Sequence, residues 1–155
     1  MEPNLESAVP IVSEIELSYH TVVKPSLRPK VVCDSDVYRL FLSTWDMSKI
    51  ELYEQYKVML LTNANRVLGI CTLNTGTATA TFADPRQVFG VALKANATKV
   101  ILAHNHPSGL LRPSSQDIES TKRMKLIGKY LEIPVIDHLI ISSERYYSFA
   151  SEGII

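Results

Sequence analysis

The sequence predicts an α/β (α+β) domain, a mixed β-sheet flanked by helices, and three observations predict it. Apolar runs of strand length recur along the chain, one of them with clean period two. Between them lie segments that begin with capping residues and continue with apolar positions at helical spacing. In chain order the elements read β, α, β, β, β, α, β, α, β, β, as expected of a sheet covered by helices. With 155 residues, 46% of them hydrophobic and 21% charged, a single globular domain with a real core is expected.

Residues 1–12 read as a loose leader. From 14 to 23 the apolar Ile15, Leu17, Tyr19 and Val23 alternate with the polar Glu14, Glu16, Ser18 and His20. That is a half-buried strand with His20 on its wet side. Two prolines make 24–30 a loop. The chain thus divides into a leader, 1–30, with one strand and a Pro-containing loop, and a globular part, 31–155. Asp34, Ser35 and Asp36 offer capping oxygens to a helix over 36–46, with Val37, Leu40, Phe41 and Trp45 at helical spacing. Trp45 reads as core.

An apolar-rich strand follows over 51–62, and Glu54 opens its central part, 55–61. Asn63 and Asn65 tolerate positive φ and turn it into a second strand over 67–71, a hairpin. Residues 73–77 read as a loop and 78–82 as a threonine-rich strand. Asp84 and Pro85 start the next helix, with Val88, Phe89, Ala92 and Leu93 as its buried stripe. The strand over 98–104 carries the continuous run Val100, Ile101, Leu102, Ala103 of a central strand covered on both faces. A third helix spans 114–131, with Ile118, Met124, Ile127 and Leu131 on its inner side, and Ile133-Pro134 stops it. Strands over 135–141 and 146–149 complete the chain.

The 16 basic and 16 acidic side chains cancel, so no basic field invites nucleic acid or an anionic membrane. Only a local patch would support nucleic-acid binding. Cys33 and Cys71 form no CxxC and read as reduced thiols. No secretory signal is visible, and no apolar stretch approaches the roughly 20 residues that span a bilayer. A cytoplasmic protein without a membrane partner is expected.

The chemistry concentrates between Lys99 and Asp117. His104 and His106 are two residues apart, so on an extended segment they point the same way and can reach one cation. Ser114-x-x-Asp117 then opens a helix. The compact turn 107–113, with Gly109 at a positive-φ position and Asn105 and Ser108 holding it by hydrogen bonds, lets Asp117 return as a third ligand. Two imidazoles and a carboxylate leave the fourth position of a tetrahedral zinc open, as in catalytic rather than structural sites. Ser114 and Asp117 also read as a helix cap with a favourable charge in the first turn, and the two readings are compatible.

A hydrolytic zinc needs a further carboxylate to take a proton from water and pass it to the leaving amine. No glutamate lies between Val100 and Gln116, so it comes from elsewhere, and on spacing alone Glu51, Glu54 and several others compete. Asp137-His138, at the start of a buried strand, reads either as a pair orienting a ligand imidazole or as an interior pair. Arg86 reads as a loop anchor. The string His104-Asn105-His106 invites a nuclease reading too, but those nucleases spread their named residues over a longer ββα element.

His104-Asn105-His106-Pro107-Ser108-Gly109, followed by Pro113-Ser114 and Asp117, resembles the JAMM (MPN-plus) motif of metalloproteases in the form carried by the RadC family. Further likeness lies in Glu54-Gln55-Tyr56-Lys57-Val58-Met59-Leu60, Gly76-Thr77, Pro85-Arg86, the segment from Ala92 to Ala97, Asp137-His138 with Ile140-Ile141, and Ser148-Phe149-Ala150. The resemblance covers residues 35–155. It implies a three-layer JAMM domain of cytidine-deaminase-like architecture and a Zn2+ ion held by His104, His106 and Asp117, with water in the fourth position. It singles out Glu54 as general acid/base and Ser114 as a donor to the oxyanion of the tetrahedral intermediate.

The reaction so implied is hydrolysis of a peptide or isopeptide bond in a peptide or protein substrate. Deamination is not implied, because no H-x-E with a later P-C-x-x-C is present. RadC-like proteins commonly carry a helix-hairpin-helix module ahead of this domain, where this chain has its strand-containing leader. Two other functions stay open at this point. One is a non-catalytic, metal-stabilised interaction module that pairs through an edge strand such as 14–23. The other is a DNA-repair accessory protein, which the family's name suggests and the neutral charge does not support.

Overall fold

The computed structural model describes residues 21–76 and 83–155. After a single 3-10 turn at Pro25–Leu27, their α-helices and strands are α1 (Asp34–Leu42), β1 (Gln55–Leu61), β2 (Val67–Thr75), α2 (Pro85–Lys94), β3 (Lys99–Asn105), α3 (Ser115–Tyr130), β4 (Val135–Ile141) and β5 (Tyr146–Ser148). The strands form one five-stranded sheet in the order β2-β1-β3-β4-β5. Neighbours are antiparallel except β3 and β4, which are parallel and joined by α3. This is the predicted mixed sheet with helices. The expected strand 78–82 and most of 14–23, His20 included, lie outside the described residues, and 21–23 form no strand.

Alternation along the strands builds three layers. Tyr56, Val58, Leu60, Val100, Leu102 and Val135 face Val88, Phe89 and Ala92 of α2 and Met124 of α3. On the other face Met59, Leu61, Ile101, Ala103, Leu139 and Ile141 meet Val37 and Phe41 of α1 and the ring of Trp45. β3 is apolar on both faces because both are covered.

Several boundaries differ from the expectation, each for a local reason. α1 starts two residues early because Asp36 serves in the first turn rather than as the cap. Its Oδ2 accepts from Val32 N at 3.0 Å and Cys33 N at 3.4 Å, completing a capping box on Cys33. The helix ends at Leu42, and Trp45 is buried from the turn beyond it. Residues 51–54 are turn and coil rather than strand. β2 runs on to Thr75, through residues expected as loop, because its pairing with β1 continues to Gln55 opposite Thr75. Asn65 adopts φ 57° in the hairpin turn, as its residue type allows. β5 is one residue shorter than expected.

Leu93 is 54% exposed rather than part of the α2 stripe; it lies about 100° round the helix from Ala92. In α3 the inner stripe is Asp117, Thr121, Met124 and Gly128, while Ile118 and Ile127 flank it half-buried and Leu131 is exposed. The helix thus turns small and polar residues inward at its N-terminal end. Cys33 and Cys71 are free thiols. Among the described residues no helix is long and apolar enough to cross a membrane.

Gly128 shows how closely α3 is docked. A Cβ added there would lie 2.6 Å from the Ile133 carbonyl oxygen, a backbone atom that cannot rotate aside. Gly128→Ala is therefore expected to cost about 1–3 kcal/mol by overpacking, read as a lower denaturant midpoint with an unchanged slope.

Candidate metal centre

The centre forms where the start of β1 meets the end of β3. The two strands are antiparallel with Tyr56 opposite His104, so the residue preceding β1 reaches the His104 end of the sheet. That residue is Glu54, a buried carboxylate. One ligand atom from each of Glu54, His104 and His106 lies within 4.8 Å of the other two.

Asn105 points to the opposite face and secures this arrangement. Its Oδ1 accepts from Gln55 N at 2.7 Å, and its Nδ2 donates to the carbonyls of Ile50 and Tyr53 at 2.6 and 2.8 Å. Asn105 does not hold the turn after it, as its place in the sequence suggests, but anchors the loop that delivers Glu54. Ser108 makes a long contact, its Oγ accepting from Leu110 N at 3.4 Å.

Beyond β3 the chain turns back at Gly109, whose φ of 74° agrees with the expectation. His106 Nδ1 lies 2.6 Å from the Leu110 carbonyl oxygen. A carbonyl only accepts, so Nδ1 carries the proton and donates it there. The return brings in the first turn of α3, where Ser114 and Asp117 form a complete capping box. Ser114 Oγ accepts from Asp117 N at 3.1 Å, while Asp117 Oδ2 accepts from Ser114 N and Oγ at 2.7 and 2.6 Å. The cap does not turn the carboxylate away from the histidines. Asp117 Oδ1 is 3.4 Å from His104 Nε2, and Oδ2 is 3.6 Å from His106 Nε2.

The two Nε2 atoms are 3.0 Å apart. A tetrahedral cation with bonds of 2.0–2.1 Å spaces its ligands about 3.3 Å apart; the imidazole pair is close to that edge, and each imidazole has one of the two Asp117 oxygens near the same distance. The donor set fits a small divalent cation.

The electrostatics favour the forms a cation binds at Asp117 and His104, while at His106 a cation has to displace a proton that its neighbours favour. Burial opposes charge on Asp117, yet the neighbouring imidazoles of His104 and His106 and the Ser114 hydroxyl outweigh it and hold the carboxyl well below the usual carboxylate range. Burial lowers His104 from its ordinary value against the pull of Asp117. It also works to lower the less enclosed His106, but Asp117, the Leu110 carbonyl and Glu54 prevail and raise it. Tyr56 stacks on the His104 ring, with centroids 6.0 Å apart and planes 4° from parallel, and burial pushes its phenol up.

A second set of groups stands behind the first. The β3–β4 pairing slips by one residue between Val100 opposite Val135 and Ile101 opposite Asp137. The slip gives His138, not Asp137, the α3 face, and its Nε2 lies 2.8 Å from His104 Nδ1. Asp137 instead accepts from Ser148 Oγ, Ala150 N and His138 N at 2.7, 3.0 and 2.7 Å. The pair is thus divided: His138 meets the His104 imidazole, while Asp137 is an interior carboxylate satisfied by its own neighbours. Thr121 touches His138 Nδ1 at 2.6 Å; its type gave no signal, and only its spacing one helical turn from Asp117 could have found it. Arg86 pairs with Asp84 at 2.8 Å, at the start of α2. The centre opens into a cleft of about 580 Å³ walled by Pro107, Leu110, Arg112, Arg123 and Met124.

The family described as RadC-like JAB domain matches residues 31–154. Among curated relatives, a UPF0758 protein of Flavobacterium johnsoniae is 39% identical over 151 residues, covering 95% of this chain and 63% of that protein. A UPF0758 protein of Desulfitobacterium hafniense is 35% identical over 149 residues, 96% of this chain and 64% of the relative. One from Thermosynechococcus vestitus is 46% identical over 95 residues, 61% and 38% of the two chains. The chain therefore spans less than two thirds of the length of these relatives.

Asn105→Ala would strand the Gln55 amide and the Ile50 and Tyr53 carbonyls. Each buried group left unpaired costs about 1–3 kcal/mol, so a clear loss of stability is expected. Native-state hydrogen exchange should report it as lost protection at the Gln55 amide.

Proposed function

The chain belongs to the family of RadC-like JAB domains, and from that and the centre described above we propose that it is a zinc-dependent hydrolase of peptide or isopeptide bonds. The observation that carries the reading is that His104 Nε2 and His106 Nε2 lie 3.0 Å apart, with one Asp117 carboxylate oxygen 3.4 Å from the first, the other 3.6 Å from the second, and the buried Glu54 within ligand range of both imidazoles. We assign His104, His106 and Asp117 as ligands. When bound, a zinc ion supplies a water of lowered pKa and a Lewis acid for the scissile carbonyl.

Glu54 is the general acid/base. Lining the cleft next to the imidazoles, it takes the proton of the attacking water and hands it to the departing amine. Ser114 donates to the carbonyl oxygen as negative charge develops there. Its hydroxyl turns from Asp117 Oδ2 to do so, and the Ser114 N–H keeps that carboxylate oxygen bonded meanwhile. The substrate is a peptide or protein whose residues flanking the scissile bond occupy the cleft. Free Cys33 and Cys71 suit a reducing compartment, and the cytoplasm is the proposed location.

The position of Glu54 within ligand range of both histidines makes it the residue that separates catalysis from mere metal binding. Wild-type protein is expected to hold about one zinc per chain and to cleave an internally quenched peptide or a lysine-linked isopeptide probe. Glu54→Gln should keep the zinc, measured by elemental analysis, and lose at least about 100-fold in rate. Combined His104→Ala and His106→Ala should lose the metal. Full activity in Glu54→Gln removes its assigned role, and loss of zinc there makes it a ligand instead. A wild type that holds zinc and cleaves neither probe favours a metal-stabilised interaction module.

A further inference from the structure

Three short contacts lead from His104 away from the cation site. His104 Nδ1 is 2.8 Å from His138 Nε2, His138 Nδ1 is 2.6 Å from Thr121 Oγ1, and Thr121 Oγ1 is 2.6 Å from the Asp117 carbonyl oxygen. His104, His138 and Thr121 are all buried, so the order of protons is set within the chain of contacts. Its far end decides that order. The Asp117 carbonyl can only accept, and an oxygen–oxygen separation of 2.6 Å requires a proton between the two atoms.

Thr121 has one hydroxyl proton, and it goes to Asp117. Toward His138 Thr121 therefore offers a lone pair, and His138 Nδ1 is the donor. His138 is buried and its ring nitrogens meet Thr121 Oγ1 and His104 Nδ1, neither of them an anion. A buried imidazole with no anion against it stays uncharged, so its Nε2 is an acceptor. His104 Nδ1 donates to it, and His104 Nε2 is left with its lone pair aimed at Asp117 and His106.

We propose that Thr121 and His138 are positioning residues that hold His104 in the Nδ1–H tautomer and tie its ring to the helix that carries Asp117. The proposal rests on reading the centre as a cation site. A ligand histidine is most often backed by a carboxylate, a carbonyl or water, and the carboxylate and carbonyl present only acceptor atoms. A histidine in that position presents an acceptor in only one of its two neutral tautomers, and Thr121 selects that one. Without the hydroxyl, His138 can place its proton on Nε2. His104 would then have to accept through Nδ1 and point an N–H at the cation.

The test is two-bond proton–nitrogen correlation spectroscopy on metal-free protein labelled with 15N-histidine, with zinc affinity measured beside it. The wild type is expected to show His104 and His138 protonated on Nδ1 and bare on Nε2. Thr121→Val should move a measurable fraction of protons to the other nitrogens and weaken zinc binding about 10–100-fold. Thr121→Ser keeps the hydroxyl and should restore both. A wild-type His104 protonated on Nε2 overturns the proposal, and so does Thr121→Val with tautomers and affinity unchanged. The spectra are read without metal, so a wild type that binds no zinc sinks the hydrolase reading while the tautomers still decide this point. Should Thr121→Val fail to fold, the wild-type spectrum alone decides it.

Discussion

The antiparallel register of β1 against β3 is the constraint on which the centre depends. With Tyr56 opposite His104, a carboxylate from one part of the chain arrives beside imidazoles from another 50 residues away. A slip of one residue would send Glu54 to the face of α1. Apolar pattern alone would not forbid that slip, because Val58 and Leu60 on one face and Met59 and Leu61 on the other are all buried. Polar residues specify the register instead. Lys57 is 3% exposed, its Nζ donates to the Thr44 carbonyl at 2.6 Å, and it sits 4.5 Å over the Trp45 ring. A buried ammonium moved away from those partners would cost several kcal/mol, and Asn105 adds three backbone contacts that exist in one register only.

The parallel half of the sheet completes the geometry. β3 feeds a short turn and then α3, so the first turn of that helix falls at the carboxyl end of the strand, where open α/β sheets place their sites. α3 has two jobs along one stripe. Asp117 and Thr121 face the histidines, and one to three turns later Met124 and Gly128 pack the helix against the sheet. The close approach at Gly128 sets how near Thr121 comes to His138. Packing and polar contacts are therefore coupled through one rigid element rather than being separate layers of design.

What was legible in the sequence was what is local. His104 lies at the end of β3 and His106 just beyond it, and Asp117 sits in the first turn of the next helix, so their spacing alone brings them near one another. Caps and continuous apolar runs likewise marked α2, β3 and β4. Glu54 remained one of several candidates until the family resemblance, because its place depends on strand order, which spacing does not carry. His138 and Asp137 could not be told apart, since the one-residue slip at Ile136 decides which of them faces α3. Thr121 and the inner face of α3 were missed because apolar content points to Ile118 and Leu131, whereas the helix turns inward the residues that its polar neighbours need.

The geometry is tested most directly by anomalous diffraction at the zinc edge from crystals of zinc-loaded protein. A single peak about 2.0–2.2 Å from His104 Nε2, His106 Nε2 and an Asp117 carboxylate oxygen is expected. A peak away from these three groups, or none in protein soaked with excess zinc, would contradict it.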